Sequence, residues 1–241
     1  GLSPAPAPSS TVWVVEITSP DYNYVVHGSS EVMEHDQFLQ MPMPRTPFFR
    51  ESNLDVASLS VEKKLVGGVV LNKKGQMLGQ WASFPDLSSY EQERSMYVVP
   101  AYTIREALDA FTQQNALRSI GVEFAPLNWI QATEFGLTSA MLNDFEGDGR
   151  PEEWFAVHRM APSSPATQVL RNGDIILAVE GQRLFHFRHL ERLMRQNDSV
   201  SLHVLRQGMI QEVAVGSIAL MSLSETTVLK WNGALIHNVP W

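Results

Sequence analysis

The sequence has no cysteine, which excludes disulfide bonds, thiolate catalysis and zinc sites built on cysteine. No apolar run approaches the roughly 18 residues of a membrane-spanning helix, and no signal peptide is recognisable. Basic residues are also scarce: 18 Lys and Arg against 26 Asp and Glu give a net charge of −8, which argues against a nucleic-acid interface. The absence of Met at the start suggests a cut N-terminus and a piece of a longer chain.

What remains is an ordinary globular composition. Of the 241 residues, 44% are hydrophobic and 18% are charged, enough for a substantial core. This length predicts one large domain or two domains of about 120 residues each.

The N-terminal part of the chain is predicted to be β. Residues 1–10 (GLSPAPAPSS) are a flexible linker. Within residues 11–97, a strand is predicted at Thr11–Ile17, and a hairpin turns at Asn72–Gly75, with Gly75 in the left-handed region. Short strands and Pro/Gly turns are typical of a half-barrel or a sandwich.

A connecting helix is predicted over residues 98–115. Thr103 and Glu106 have the spacing of a capping box. An apolar face is predicted at Ile104, Leu108 and Phe111.

The remaining chain is predicted as a second domain, residues 116–218, with an extension at 219–241. Its centre is Ile175–Val179, a continuous apolar run between the turns Asn172–Gly173 and Glu180–Gly181, which predicts a strand buried on both faces. A helix follows, with Phe187, Leu190 and Met194 on its inner face.

The order strand, "APSSPATQVLRNGDIILAVEGQ", helix, strand resembles the PDZ domain of the HtrA (Deg) serine proteases. The segment from Lys64 to Trp81 is similar to the hairpin that follows the nucleophile in that family, with Gly67–Gly68, Gly75 and Gly79 at the family's spacing. In this resemblance Val66 occupies the nucleophile's slot and Lys64 that of the oxyanion-hole glycine. Valine has no hydroxyl, so no acyl-enzyme can form.

No other residue is predicted to replace the nucleophile or its base. Ser58 and Ser60 do not lie on the Gly-Gly turn. The seven histidines show no metal-ligand or base–nucleophile spacing; they are His27, His35, His158, His186, His189, His203 and His237. The resemblance places the family's His and Asp in a first barrel upstream of this sequence.

"PFFRESNLDVASLS", "YVVPAYTIREALDAF" and "TTVLKWNGALIHNVPW" resemble one subfamily, the double-length HtrA-type proteins of fungi and plant plastids. In those proteins an active protease–PDZ half precedes a degenerate one. The resemblance implies a mainly β fold with α elements, in which an incomplete or degenerate trypsin-like second barrel precedes a PDZ domain. The extension at 219–241 is a candidate start of a further PDZ-like unit. Family members assemble as oligomers, commonly trimers.

PDZ domains bind an extended peptide along a sheet edge and hold its carboxylate on backbone N–H groups. By resemblance this loop is Ser119, Ile120, Gly121 and Val122, and the opposing helix wall is Leu190, Leu193 and Met194, with His189 at the rim. The alternative interpretation is that Ile120, Leu190 and Met194 are simply core.

Asp144, Glu146 and Asp148 partly match a calcium loop, with carboxylates at positions 1, 3 and 5 and Gly149 at position 6. The twelfth position, which needs a bidentate Glu, is Phe155, so a solvated turn is the simpler interpretation. No cofactor or metal is predicted.

Three functional hypotheses follow. The first is a non-catalytic pseudoprotease–PDZ module that binds C-terminal or extended peptides and docks on the active protease half or on itself. The second is part of an active serine endopeptidase whose catalytic residues lie elsewhere in a longer chain. The third is a stand-alone peptide-binding adaptor of a bacterial envelope, with micromolar affinity of roughly −8 kcal/mol.

Overall fold

The computed structural model describes residues 10–17, 25–41, 52–60, 67–85, 94–112, 118–146, 153–162, 164–219 and 228–237. The chain forms two compact units, with a boundary inside one strand: residues up to Leu54 of that strand group with the second unit, and residues from Asp55 group with the first. In the described ranges, no helix is long and apolar enough to cross a membrane.

The first unit is a β-barrel with one helix. Its described elements are β1 (Thr11–Ile17), β2 (Val25–Met41), β3 (Ser52–Ser60, from Asp55 on), β4 (Gly68–Leu71), β5 (Met77–Pro85), β6 (Arg94–Pro100) and α1 (Ala101–Thr112). The strand order β1-β2-β3-β6-β5-β4 closes because β1 pairs with both β2 and β4. The mainly β fold with α elements is confirmed, and the sheet is a closed barrel rather than a half-barrel or sandwich.

Alternating side chains fill this barrel. Val12 and Val14 of β1 point inward and are buried, whereas Trp13 and Val15 are half-buried. The same period of two is expected for any strand with one face on a core. The inward side chains of neighbouring strands form one cluster, which comprises Val12, Val14, Val32, Ala57, Val70, Leu78, Trp81 and Val98.

The predicted hairpin at Asn72–Gly75 is confirmed. Gly75 has φ +71°, and its N–H donates to the carbonyl of Asn72 at 2.9 Å. The side-chain Oδ1 of Asn72 accepts from the N–H groups of Lys74 and Gln76, both at 2.9 Å. Gly79, in the following strand, lies so close to β6 that a Cβ would approach the carbonyl of Val99 to 2.4 Å.

The predicted apolar face of the connecting helix is largely exposed, and its predicted capping box is wrong. α1 begins at Ala101, which is buried, so Thr103 lies inside the helix and is not its N-cap. Leu108 and Phe111 are 57% and 82% exposed. β6 runs directly into α1, and the helix packs against β5 and β6. The position of the first turn of α1 therefore decides which face of the helix packs against the barrel. The i, i+4, i+7 pattern of apolar residues does not decide it.

The second unit is a sheet flanked by short helices. Its described elements are β7 (Arg118–Ser119), β8 (Val122–Leu127), α2 (Trp129–Glu134), a 3-10 helix (Ser139–Asp144), β9 (Trp154–Met160), α3 (Ala166–Val169), β10 (Ile175–Val179), β11 (Gln182–Arg183), α4 (Phe187–Gln196), β12 (Ser199–Arg206), β13 (Met209–Gly216), β14 (Ile218–Ala219), β15 (Val228–Trp231) and β16 (Ala234–His237). Asn53 and Leu54, at the start of β3, group with this unit.

β10 lies in the middle of the sheet, whose order is β13-β12-β10-β9-β8. All five of its residues are buried, which confirms the prediction for Ile175–Val179. The turn that ends it has positive φ at both Glu180 (50°) and Gly181 (76°), the conformation of a type I′ hairpin turn. Trp154 of β9 and Leu177 of β10 belong to the core cluster that this sheet covers.

Candidate functional site

The candidate site lies where β7 leads through a short loop into β8. β7 pairs with β14, and α4 contacts β7. Arg118 of β7 points away from the loop: its Nε donates to Ser217 Oγ at 2.8 Å, and its Nη2 lies 3.0 Å from the Asp198 carboxylate. The loop is therefore held between a small sheet on one side and a helix on the other.

Gly121 fixes the shape of this loop. Its φ is +65°, a backbone conformation that residues other than glycine rarely adopt. A Cβ at this position would lie 2.8 Å from Ser164 Cβ. The N–H of Gly121 donates to Ser119 Oγ at 2.9 Å, and its carbonyl accepts from the N–H of Ala161 at 2.8 Å. Ser164 Oγ donates to the carbonyl of Ile120. These three hydrogen bonds and the positive φ of Gly121 thus fix the conformation of the loop.

β8 is the end strand of the sheet order, and α4 packs beside it. The ring of Phe124 in β8 contacts Phe187 of α4 with 5.9 Å between centroids, and both contact Phe155 of β9. Glu123 is buried and accepts from Arg159 Nε at 2.7 Å, so its charge is paired across the β8–β9 ladder. These contacts set a sheet edge next to a helix, the arrangement that strand addition uses.

Asn53 contacts this edge, and sequence reasoning missed it. The N–H of Phe124 donates to Asn53 Oδ1 at 2.9 Å, and Asn53 Nδ2 donates to the carbonyl of Phe124 at 3.0 Å. The two residues are 71 positions apart. No local pattern marks a side chain that bonds to a backbone so distant in sequence.

The predicted site side chains are nearly all covered. Ser119, Ile120, Gly121 and Val122 of the loop are buried, and Leu190 and Met194 of α4 are 0% and 2% exposed. Leu193 is the half-buried member of the predicted set. The loop and the helix wall thus lie on neighbouring elements, and their apolar side chains are buried in the core.

The predicted catalytic slots, Lys64 and Val66, lie outside the described residues, as does Asp148 of the acidic loop. Asp144 ends the 3-10 helix. Glu146 forms a parallel bridge with Gln182, and its carbonyl accepts from the N–H of Arg183 at 2.8 Å. Within the described ranges, no group of three or more His, Asp or Glu side chains is placed to hold a metal ion.

A cavity of about 390 Å³ lies on the outer side of α4. Its lining is mostly basic and comprises Glu146, Gln182, Arg183, Phe185, His186, Arg188, His189 and Arg192. Burial lowers the pKa of His189 below its ordinary value of 6.5, and the charges of Arg192, His186 and Arg188 lower it further. Two of the seven histidines, His186 and His189, thus line one cavity, and the sequence signal for it is the local density of His and Arg between 186 and 192.

No family model matches the chain. It is 22% identical over 230 residues to the pro-apoptotic serine protease NMA111 of Debaryomyces hansenii, covering 90% of this chain and 23% of that protein. It is 24% identical to Protease Do-like 7 of Arabidopsis thaliana, covering 80% of this chain and 20% of that protein. It is also 24% identical to a PDZ domain-containing protein of Schizosaccharomyces pombe, covering 73% and 18%.

Among solved structures, the HtrA-type protease AlgW with a decapeptide has a TM-score of 0.49 at 15% identity, covering 89% of this chain and 62% of that one. The chain spans about a fifth of the length of the curated relatives. Its homologues over most of its own length are HtrA/Deg-type serine proteases and a PDZ-domain protein.

Proposed function

We propose that this chain is a non-catalytic, protease-like barrel joined to a PDZ-like unit that binds the C-terminal or extended segments of other proteins. The observation that carries the proposal is the rigid Gly121 loop, which opens directly into the end strand β8 beside α4. A peptide added to β8 would form main-chain hydrogen bonds along the strand, and its carboxylate would meet the loop's backbone.

The non-catalytic part of the proposal rests on sequence. Val66 stands in the nucleophile's slot of the resembling hairpin, and a valine side chain can neither attack a carbonyl nor exchange a proton. In the described residues, the barrel core is formed by aliphatic side chains and Trp81. We propose that the barrel supports the PDZ-like unit and docks on the active half of a longer protein or on another copy of this chain.

The buried loop and helix wall predict a particular kind of recognition. Ile120, Leu190 and Met194 are at most 2% exposed, so no deep apolar pocket is open for a large side chain. Main-chain bonds and the terminal carboxylate would then supply most of the affinity. We expect weak binding, roughly micromolar, with modest side-chain preference.

A fluorescence-polarisation screen of the 241-residue protein against a library of free C-terminal peptides tests the proposal. Gly121→Trp fills the loop, but the positive φ and the contact with Ser164 make it a risk to folding. Leu193→Glu is the second variant, since it places a charge at a half-buried position of the helix wall. Ile130→Glu, at a 70% exposed position on α2, is its matched control.

We expect the protein and Ile130→Glu to bind the same peptides, with at least tenfold weaker binding by Leu193→Glu. Amidated copies of the peptides should bind more weakly, because the loop loses the carboxylate. Absence of peptide binding in all the folded variants would contradict peptide recognition at this site. Binding by Leu193→Glu as tight as by the unchanged protein would contradict it as well.

The names of the relatives favour a second candidate function, part of an active serine endopeptidase. In that case residues outside this chain supply the catalytic groups, and this chain contributes binding or assembly.

A further inference from the structure

We propose that Asn53 occupies the binding edge of β8 in place of a peptide, so that an incoming strand must displace its side chain. This rests on the proposed peptide-binding function and concerns the regulation of the same site. It starts from the paired hydrogen bonds between the Asn53 carboxamide and the backbone of Phe124, at 2.9 and 3.0 Å.

The Asn53 side chain imitates a peptide group. A carboxamide carries one acceptor and one donor on neighbouring atoms, as a main-chain amide does. In an antiparallel ladder, one residue of each strand exchanges both an N–H···O and an O···H–N bond with its partner. Asn53 makes both of these bonds with Phe124, so a single side chain completes one rung of a ladder.

The position of Phe124 makes this rung the relevant one. It lies three residues after Gly121, within the first half of β8, where an extended peptide leaving the Gly121 loop would run. The N–H and C=O of one strand residue point to the same side of the strand. β9 already pairs with β8 along its other side, so the side on which Phe124 bonds Asn53 is the one that an added strand needs.

Asn53 and a peptide therefore compete. The Phe124 N–H can serve only one acceptor at full strength, and the two candidates approach from the same side. The fraction of molecules with Asn53 displaced sets the apparent affinity, because only that fraction is competent to bind. In the absence of peptide, Asn53 satisfies two backbone groups of an end strand, which also protects that edge from unwanted pairing.

The test compares Asn53→Ala with the unchanged protein in the same screen of free C-terminal peptides. We expect Asn53→Ala to bind at least about fivefold more tightly, since two hydrogen bonds no longer oppose the peptide. Asn53→Asp is a second variant. It loses the donor, sets a carboxylate against the Phe124 carbonyl, and should also bind more tightly. Asn143→Ala, at an exposed position of the 3-10 helix, is the control and should match the unchanged protein.

Amide hydrogen exchange at Phe124 provides a readout independent of affinity. We expect slow exchange in the unchanged protein, faster exchange in Asn53→Ala, and slow exchange again when Asn53→Ala is saturated with peptide. Faster exchange with unchanged affinity would mean that Asn53 only caps the edge, and the competition would be refuted.

The outcomes separate this inference from the proposed function. Equal affinities of Asn53→Ala and the unchanged protein, with binding lost in Leu193→Glu, would overturn the competition and leave peptide recognition standing. Absence of peptide binding in every folded variant, Asn53→Ala included, would overturn both.

Discussion

Buried Asp174 forms an ion pair with Arg206, whose side chain is 12% exposed, next to the central strand of the second unit. Arg206 donates twice to Asp174, from Nε at 2.8 Å and from Nη2 at 2.6 Å. Asp174 also accepts from the N–H of Arg171, and Arg206 Nη2 donates to the carbonyl of Val169. The hydrogen bond that Arg206 donates to Asp174 raises the pKa of Arg206 above its ordinary value, so the guanidinium stays charged. Through these hydrogen bonds, Arg206 of β12 links Asp174, which directly precedes β10, to Val169 of α3.

Asp174→Asn should lower the free energy of unfolding by about 3 kcal/mol or more, because Arg206 would keep a buried charge without its partner. Asp198→Asn is the matched control: its side chain is 95% exposed and pairs with Arg118 at 3.0 Å, so its loss should cost less than about 1 kcal/mol. Urea unfolding of both variants measures the difference. Equal costs would contradict the assigned importance of burial.

Among the helices and strands, α4 has one apolar face in the core and one basic face that lines a cavity. Phe187, Leu190 and Met194 face the core, and Arg188, His189 and Arg192 line the outer cavity together with Glu146. The apolar spacing made the inner face predictable from sequence. The outer cavity was not predictable, because β11 and the end of the 3-10 helix complete it from distant parts of the chain.

His189 makes this helix sensitive to acid. Its pKa is lowered in the folded state by burial, then by Arg192, His186 and Arg188, so the unfolded chain binds the proton more readily. The stability that neutral His189 contributes is therefore present above pH 6.5 and is lost as pH falls from 6.5 through the folded-state pKa.

We expect His189→Gln to flatten the dependence of unfolding free energy on pH between about 7 and 5, relative to the unchanged protein. Arg192→Gln should flatten it in part, because one of the repelling charges is gone. Urea unfolding at several pH values measures both slopes. A slope in His189→Gln as steep as in the unchanged protein would contradict the assignment.

Elements with a strong period or turn signal were predictable. The prediction for β10 is confirmed because an unbroken apolar run of this length is stable when both faces are buried. The β4–β5 hairpin is confirmed because its turn requires a positive φ, which Gly75 supplies. The exposure of the apolar face of α1 could not be predicted, because the face that α1 packs against the barrel depends on where β6 ends. Asn53 could not be predicted at all, since its partner Phe124 is fixed by tertiary structure.

At the scale of the whole molecule, the chain joins a closed barrel unit to a second unit built on a separate sheet. The net charge of −8 argues against a nucleic-acid interface, and the absence of cysteine excludes disulfide bonds. The relatives that are serine proteases are about four times as long as this chain. Catalysis by those relatives therefore does not decide whether this chain cleaves proteins, and proteolysis has to be tested on the chain itself.

We expect the 241-residue protein to leave casein intact and Val66→Ser to leave it intact as well. A serine placed at Val66 gains a hydroxyl but no general base, and catalytic groups that act as a unit are ineffective singly. Val66→Ala controls for the loss of the valine side chain. Cleavage by the unchanged protein that a serine-directed inhibitor stops would overturn the non-catalytic proposal. Cleavage by Val66→Ser alone would show that the base and oxyanion groups are present and that only the nucleophile is missing.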